Sequence, residues 1–265
     1  PAAIDKKIII EFNSIEGNEC SIESVTVGKS FKLNLEKISK STIQWENYII
    51  GVLHNLIVLK KRKIGAFNCK ITSNLPIGAG ISSSSSLICG LISGLNYLNN
   101  LKLGSDEIVD MVSSVEHNFI GLMGGIMDQF TIVNGKKNNL ILLNCQNRKF
   151  EYISSNFNPY KIILINTNVE HNLANSSYNQ RVKECEEALG IINKNKNNYK
   201  YLVDVELNIL NKFKDSMNRK VYNRAKFVIE ENKRTHDSSV EISKSNIKEF
   251  GKLMYQSHKG LRKLY

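Results

Sequence analysis

Three prolines in 265 residues leave no room for long polyproline linkers. Five cysteines, at 20, 69, 89, 145 and 185, are scattered, odd in number and form no CxxC pair. That excludes a small disulfide scaffold and a zinc ribbon, and reads as the reduced thiols of a cytoplasmic protein. No apolar run reaches the roughly 18 residues of a membrane span. The longest, 48–59, is interrupted by His54 and Asn55, so no membrane partner is expected. The opening PAAIDKKIII lacks the basic, apolar and small-residue order of a signal peptide. It also lacks Met, and the helical-looking run EFGKLMYQSHKGLRKLY ends without a stop signal, so both ends read as cut. Arginine is scarce: 7 of the 36 basic residues. The net charge of +11 is carried by lysines dispersed everywhere except 60–63. Together with abundant Asn and Ile, this reads as composition bias rather than a nucleic-acid surface.

What is present is an ordinary globular composition, with 42% hydrophobic and 23% charged residues. The length suffices for a substantial core in one large domain or two modest ones. Apolar and polar residues alternate over 6–34, which predicts two or three strands. Helical spacing over 44–60 puts Trp45, Tyr48, Ile49, Val52, Leu53, Leu56 and Ile57 on one face. A short strand is expected at 67–72 and a helix over 83–98. Ser105 is expected to cap a helix over 106–119. FTIVN, NNLILLNC and KFEYIS read as two or three strands, and KIILINTN as a fully apolar one. The polar stretch 154–159 is the expected boundary between units 1–157 and 158–265. The remainder reads as helical, with a solvated insert at 193–200.

Two segments carry chemistry. VGKS at 27–30 does not, because Glu23 stands where a phosphate loop needs its first glycine. In NLPIGAGISSSSSLICGL, a glycine turn follows a strand and a helix begins inside the serine run. Free N–H groups and the positive dipole end of a helix bind phosphate. Gly78 and Gly80 allow close backbone approach, and Ser82, Ser83 and Ser84 add hydroxyls. In VEHNFIGLMGGIMDQF, Glu116 and Asp128 flank a double glycine. Such a pair can converge on one pocket, one holding Mg²⁺ and the other facing a substrate hydroxyl. Equally, Glu116 can be a solvated helix residue and Asp128 a cap. His117 reads as a packed or surface residue.

Together, LPIGAGISSSSSL, EHNFIGLMGGIMDQF and NTNVEHNLANSSYNQRVKECEEALG resemble the galactokinase family. That family lies within the superfamily of galacto-, homoserine, mevalonate and phosphomevalonate kinases. The resemblance extends to PAAID, WENYIIGV, RAKFVIEENKR and the closing segment, and so covers essentially the whole chain. It implies an α+β fold of two lobes, an S5-like N-terminal lobe and a ferredoxin-like C-terminal lobe, the latter incomplete. It implies phosphorylation of D-galactose at the C1 hydroxyl by MgATP in a cytoplasmic monomer. The phosphate loop would comprise Gly78, Ala79, Gly80, Ile81, Ser82, Ser83 and Ser84. Trp45 would lie near the adenine. Ser84 and Glu116 would bind Mg²⁺. Asp128 would be the catalytic aspartate beside the C1 hydroxyl, and Gly125 and Tyr178 would contact galactose. Ser85 stands where the family usually has Ala, and Ile81 replaces Leu, both as mild changes.

Two of the family's motifs have no counterpart: the glycine–arginine run ending in GEH, and a glycine-rich loop toward the C-terminus. The family's catalytic arginine therefore has no position here. Truncation explains both gaps better than evolved loss. Two other activities suit the same scaffold. One is a kinase for a related sugar such as N-acetylgalactosamine, and the other is a non-catalytic galactose and ATP sensor.

Overall fold

The computed structural model describes residues 1–76, 78–166, 178–194 and 198–265. The alternating N-terminal segment forms β1 (Ile8–Ser14), β2 (Glu19–Ser24) and β3 (Lys29–Asn34), joined by β4 (Phe67–Ser73) in the order β1-β4-β2-β3. β1 runs antiparallel to β4, β4 parallel to β2, and β2 antiparallel to β3. Side chains alternate across the sheet as the strand pleat requires. Cys20 and Ile22 of β2 and Phe67, Cys69 and Ile71 of β4 point into the core. Val27 and Gly28 of the VGKS segment lie in the turn between β2 and β3, with the Gly28 N–H donating to the Val25 carbonyl, and Lys29 and Ser30 begin β3.

Three helices cover this sheet's core: α1 (Gln44–Leu53), α2 (Ser83–Leu98) and α3 (Ser105–Ser114). The expected apolar face of the first helix is the buried one, with Ile49, Val52, Leu53 and Leu56 fully enclosed. α2 lies close to β1 because it carries glycine where the strand's large side chains arrive. A Cβ on Gly94 would collide with the Phe12 ring, and one on Gly90 would stand 3.0 Å from Ile10. α1 and α3 each continue into one wider π turn, His54–Leu59 and Val115–Ile120. The two are tied where Asn55 Nδ2 donates to Ser114 Oγ at 2.7 Å. α1 also meets the second π turn at Gly51, where a Cβ would lie 2.9 Å from Val115.

The molecule divides into two compact units. The first holds Pro1–Lys137, Leu143–Lys149 and the described residues from Ile163. The second holds Asn138–Leu142, Phe150–Ile162 and the chain from Tyr178 onward. The second unit contains all but Leu143 of a two-stranded sheet of β5 (Asn139–Leu143) and β6 (Phe150–Ser154). Its helices are α5 (Tyr178–Asn193), α6 (Leu207–Lys212), α7 (Arg219–Ser243) and α8 (Ile247–Leu264). A core of its own forms around Ala188, Ile192, Leu202, Leu210, Val221 and Ala225. Asn218 caps α7 by accepting the Lys220 N–H at 2.8 Å.

Three expectations are corrected. FTIVN is not a strand but lies in α4 (Met127–Asn134). Packing overrides its β-branched residues. Gln129, Phe130 and Thr131 are buried, and the Thr131 hydroxyl is satisfied by the Met127 carbonyl at 2.7 Å. Ser105 is the first helical residue rather than the cap. The Glu107 carboxylate accepts the Gly104 N–H at 3.0 Å and closes that end instead. Residues 161–166 of KIILINTN form no strand, and Ile162, Ile163, Leu164 and Ile165 are exposed. An apolar run becomes a strand only with a neighbour to ladder against, and neither of the two described sheets includes it. Thr167 and Asn168 lie outside the described residues, as does the rest of the segment as far as Ser177.

Candidate active site

The strand β4, a glycine turn and α2 follow one another as the serine motif required. Gly78 and Gly80 both adopt positive φ, near +71° and +72°, with open space where a Cβ would stand. Ser82 immediately before α2 is also left-handed, at φ 60°, a conformation that non-glycine residues adopt at a cost. Its side chain does not cap the helix. The first N–H groups of α2 are therefore presented beside the turn without a cap from Ser82, the arrangement that receives an anion.

α2 then presents two different stripes. Ser82, Ser86, Cys89, Gly90 and Ser93 line a cavity of about 600 Å³. Ser85, Ile88, Ile92 and Leu95 turn inward and are buried. Asp128, in the first turn of α4, lines the same cavity as Ser82 and Ser86, as do Thr131, Lys6 and Lys7.

Glu116 sits in the π turn after α3 and is only 3% exposed. Ser85, 4% exposed, donates its hydroxyl to Glu116 Oε1 at 2.7 Å. Burial pushes the Glu116 carboxyl above its ordinary range. The Ser85 hydrogen bond opposes that rise and the nearby Asp128 charge adds to it. The two carboxylates flanking the double glycine are thus within electrostatic reach of each other. The Glu116 charge also reaches Tyr48, whose hydroxyl is raised first by its own burial.

The glycine loop between the carboxylates is held from both sides. His117 Nε2–H donates to the Gly124 carbonyl at 2.7 Å. Gln129 Nε2 donates to the Gly125 carbonyl at 3.1 Å and to Ser113 Oγ at 2.8 Å. His117, read from sequence as a packed or surface residue, is thus a clasp on the loop. Gly125 is exposed, with nothing within 4 Å of a Cβ position.

Ala79, Ile81, Ser83 and Ser84 are partly exposed around the start of α2. Ile81 lines the cavity, whereas Ser84 does not. Trp45 packs edge-on against Phe31, with ring centroids 5.2 Å apart, and is not part of the cavity wall. Tyr178 is the first residue of α5 in the second unit, 44% exposed. Ser85 and Ser86 carry contacts that the motif reading did not assign.

Residues 47–136, which include the serine helix and both carboxylates, match the family model described as GHMP kinases N terminal domain. The fold agrees with that class. The crystal structure of Lactococcus lactis galactokinase complexed with galactose superposes with a TM-score of 0.92 at 27% identity, over 100% of this chain and 69% of that one. The galactokinase of Clostridium tetani is 38% identical over 253 residues, covering 94% of this chain and 64% of that protein. That of Thermosipho africanus is 34% identical over 268 residues, covering 100% of this chain and 71% of that protein. The chain belongs to the galactokinase family.

Proposed function

We propose that this chain carries out ATP-dependent phosphorylation of D-galactose at the C1 hydroxyl, giving α-D-galactose 1-phosphate, ADP and a proton. The observation that carries the reading is the meeting of three features in one unit. The serine-started helix α2 opens beside a cavity, Asp128 stands on that cavity's wall, and Glu116 is bonded to α2 within reach of the Asp128 charge. The family relationship and the galactose bound in the Lactococcus lactis structure support galactose as the acceptor.

Phosphoryl transfer asks a protein mainly for positioning and charge stabilisation. In this reading, the Gly78–Gly80 turn and the uncapped N–H groups of α2 hold phosphate oxygens. Lys6 and Lys7 bring positive charge to the cavity that Asp128 shares. Asp128 faces the C1 hydroxyl and favours loss of its proton as the new O–P bond forms and ADP departs. Gly125 contacts the sugar, and Trp45 lies toward the adenine side.

Among the described residues, no group of three His, Cys, Asp or Glu side chains could hold a metal ion by itself. Mg²⁺, however, binds through one or two protein oxygens together with waters and substrate phosphates. Ser84 and Glu116 supply that donor chemistry, a hydroxyl at the helix start and a buried carboxylate, and they would hold the ion. Bound there, it neutralises charge on the phosphate oxygens.

We place the reaction in the cytoplasm, in keeping with five unpaired cysteines. No helix among the described residues is long and apolar enough to cross a membrane. The test is a coupled ADP-release assay of the intact gene product against a panel of hexoses that includes N-acetylgalactosamine. Galactose should give the highest kcat/KM. ADP release that no sugar stimulates would refute the assignment.

A further inference from the structure

We infer that Ser85 is a positioning residue for the metal-binding carboxylate: its hydroxyl fixes Glu116 through Oε1 and leaves Oε2 as the oxygen offered to the nucleotide-bound cation. The inference deepens the kinase reading and rests on it.

Ser85 and Glu116 lie 31 residues apart and belong to different elements, α2 and the π turn after α3. Both are almost fully buried, and their hydrogen bond is 2.7 Å long. A buried carboxylate without a fixed partner can rotate about its last torsion and present either oxygen. Here one oxygen is taken. The other lies on the glycine-loop side, 3.7 Å from where a Cβ on Gly124 would stand. The His117 bond to the Gly124 carbonyl fixes that loop in turn. The two oxygens of Glu116 therefore have different surroundings: one is bound to the serine helix, and the other is covered by a residue without a side chain.

The position of Ser85 fits this role. It extends the inward stripe of α2, Ile88, Ile92 and Leu95, by one turn toward the phosphate loop. Ser84 is the preceding residue. The helix that delivers the proposed hydroxyl ligand thus also orients the proposed carboxylate ligand. Outer-shell partners of metal ligands typically change metal affinity by about 10–100-fold when removed.

The test uses the intact gene product with Mn²⁺ as an EPR-visible probe and a non-hydrolysable ATP analogue. Ser85→Ala should weaken Mn²⁺ binding to the nucleotide complex about tenfold. It should leave metal-free nucleotide affinity unchanged and raise the Mg²⁺ concentration needed for half-maximal turnover by a similar factor. Ser85→Thr, which keeps the hydroxyl, should stay within about threefold of wild type. Unchanged Mn²⁺ affinity in Ser85→Ala would overturn the inference. So would a matching loss of metal-free nucleotide affinity, which would show that the loop had merely loosened, and so would a Thr variant as weak as the Ala variant. A wild-type protein that binds the nucleotide without metal dependence would overturn the kinase reading along with it.

Discussion

Glu116 is held in a place that disfavours its charge. Burial raises its carboxyl, and the Ser85 hydroxyl offsets only part of that effect. The sign follows from linkage. A carboxyl whose folded value lies above its unfolded value makes the native state bind more protons, so stability falls as pH rises through that window. The full penalty is present above the raised value and disappears at acid pH. Glu116→Gln should therefore raise the melting temperature of the metal-free protein at neutral pH, and the advantage should vanish in acid. The same variant should lose Mg²⁺-dependent turnover by about 10²-fold or more, the scale on which removing one charge-stabilising group acts. Thermal unfolding at several pH values, beside turnover, checks both. A lower melting temperature at neutral pH would show that the carboxylate is anchored rather than penalised. The Glu116–Asp128 pair was legible as a possibility from its glycine-rich spacing. Ser85 was legible only as a mild replacement. The signal was nevertheless present: carrying the Ile88, Ile92 and Leu95 stripe back one turn arrives at Ser85. Which serine faces which way depends on where the helix begins, and a shift of one residue turns the face by about 100°.

At the scale of elements, α2 connects the sheet to the site. Its depth against β1 is set by Gly90 and Gly94, and its two stripes divide the serines. Ser86→Ala should remove a polar group from the wall that Asp128 shares. A lost hydrogen bond of about 1 kcal/mol corresponds to a several-fold rise in the KM of whichever substrate that wall contacts. Ser84→Ala should instead raise the Mg²⁺ requirement. Steady-state kinetics with Mg²⁺ and each substrate varied in turn separates the two. Identical profiles would mean that the assigned faces are wrong. Gly94→Ala should destabilise by about 1–3 kcal/mol, because the added methyl meets the Phe12 ring. Phe12→Leu in the same chain should recover part of that loss, and denaturant melts of the single and double variants measure the coupling. The strands β1 to β4 and helices α1 and α2 were readable because period-two and period-3.6 patterns run unbroken through them. α4 was not, because Thr131, Ile132 and Val133 favour a strand locally and only burial against α2 and α3 decides otherwise. The exposed residues 161–166 show the opposite error. An apolar run is not sufficient for a strand, because pairing is what makes one.

At the scale of the whole molecule, the charge of +11 also gains a local meaning. Dispersed lysine reads as composition bias in the sequence, yet Lys6 and Lys7 line the cavity that holds Asp128. A positive field there attracts a polyanionic nucleotide and suits transfer of a phosphoryl group. The central claim is that Asp128 on this wall serves a sugar hydroxyl during that transfer. The most direct test incubates the intact gene product with MgATP and galactose and follows α-D-galactose 1-phosphate by ³¹P NMR, beside an Asp128→Asn variant. The account predicts galactose 1-phosphate and ADP in equal amounts from the wild type. It predicts a kcat lower by about 10²-fold or more in the variant, with nucleotide affinity retained. Comparable turnover in the variant, or ADP formed by the wild type without the sugar phosphate, would contradict it.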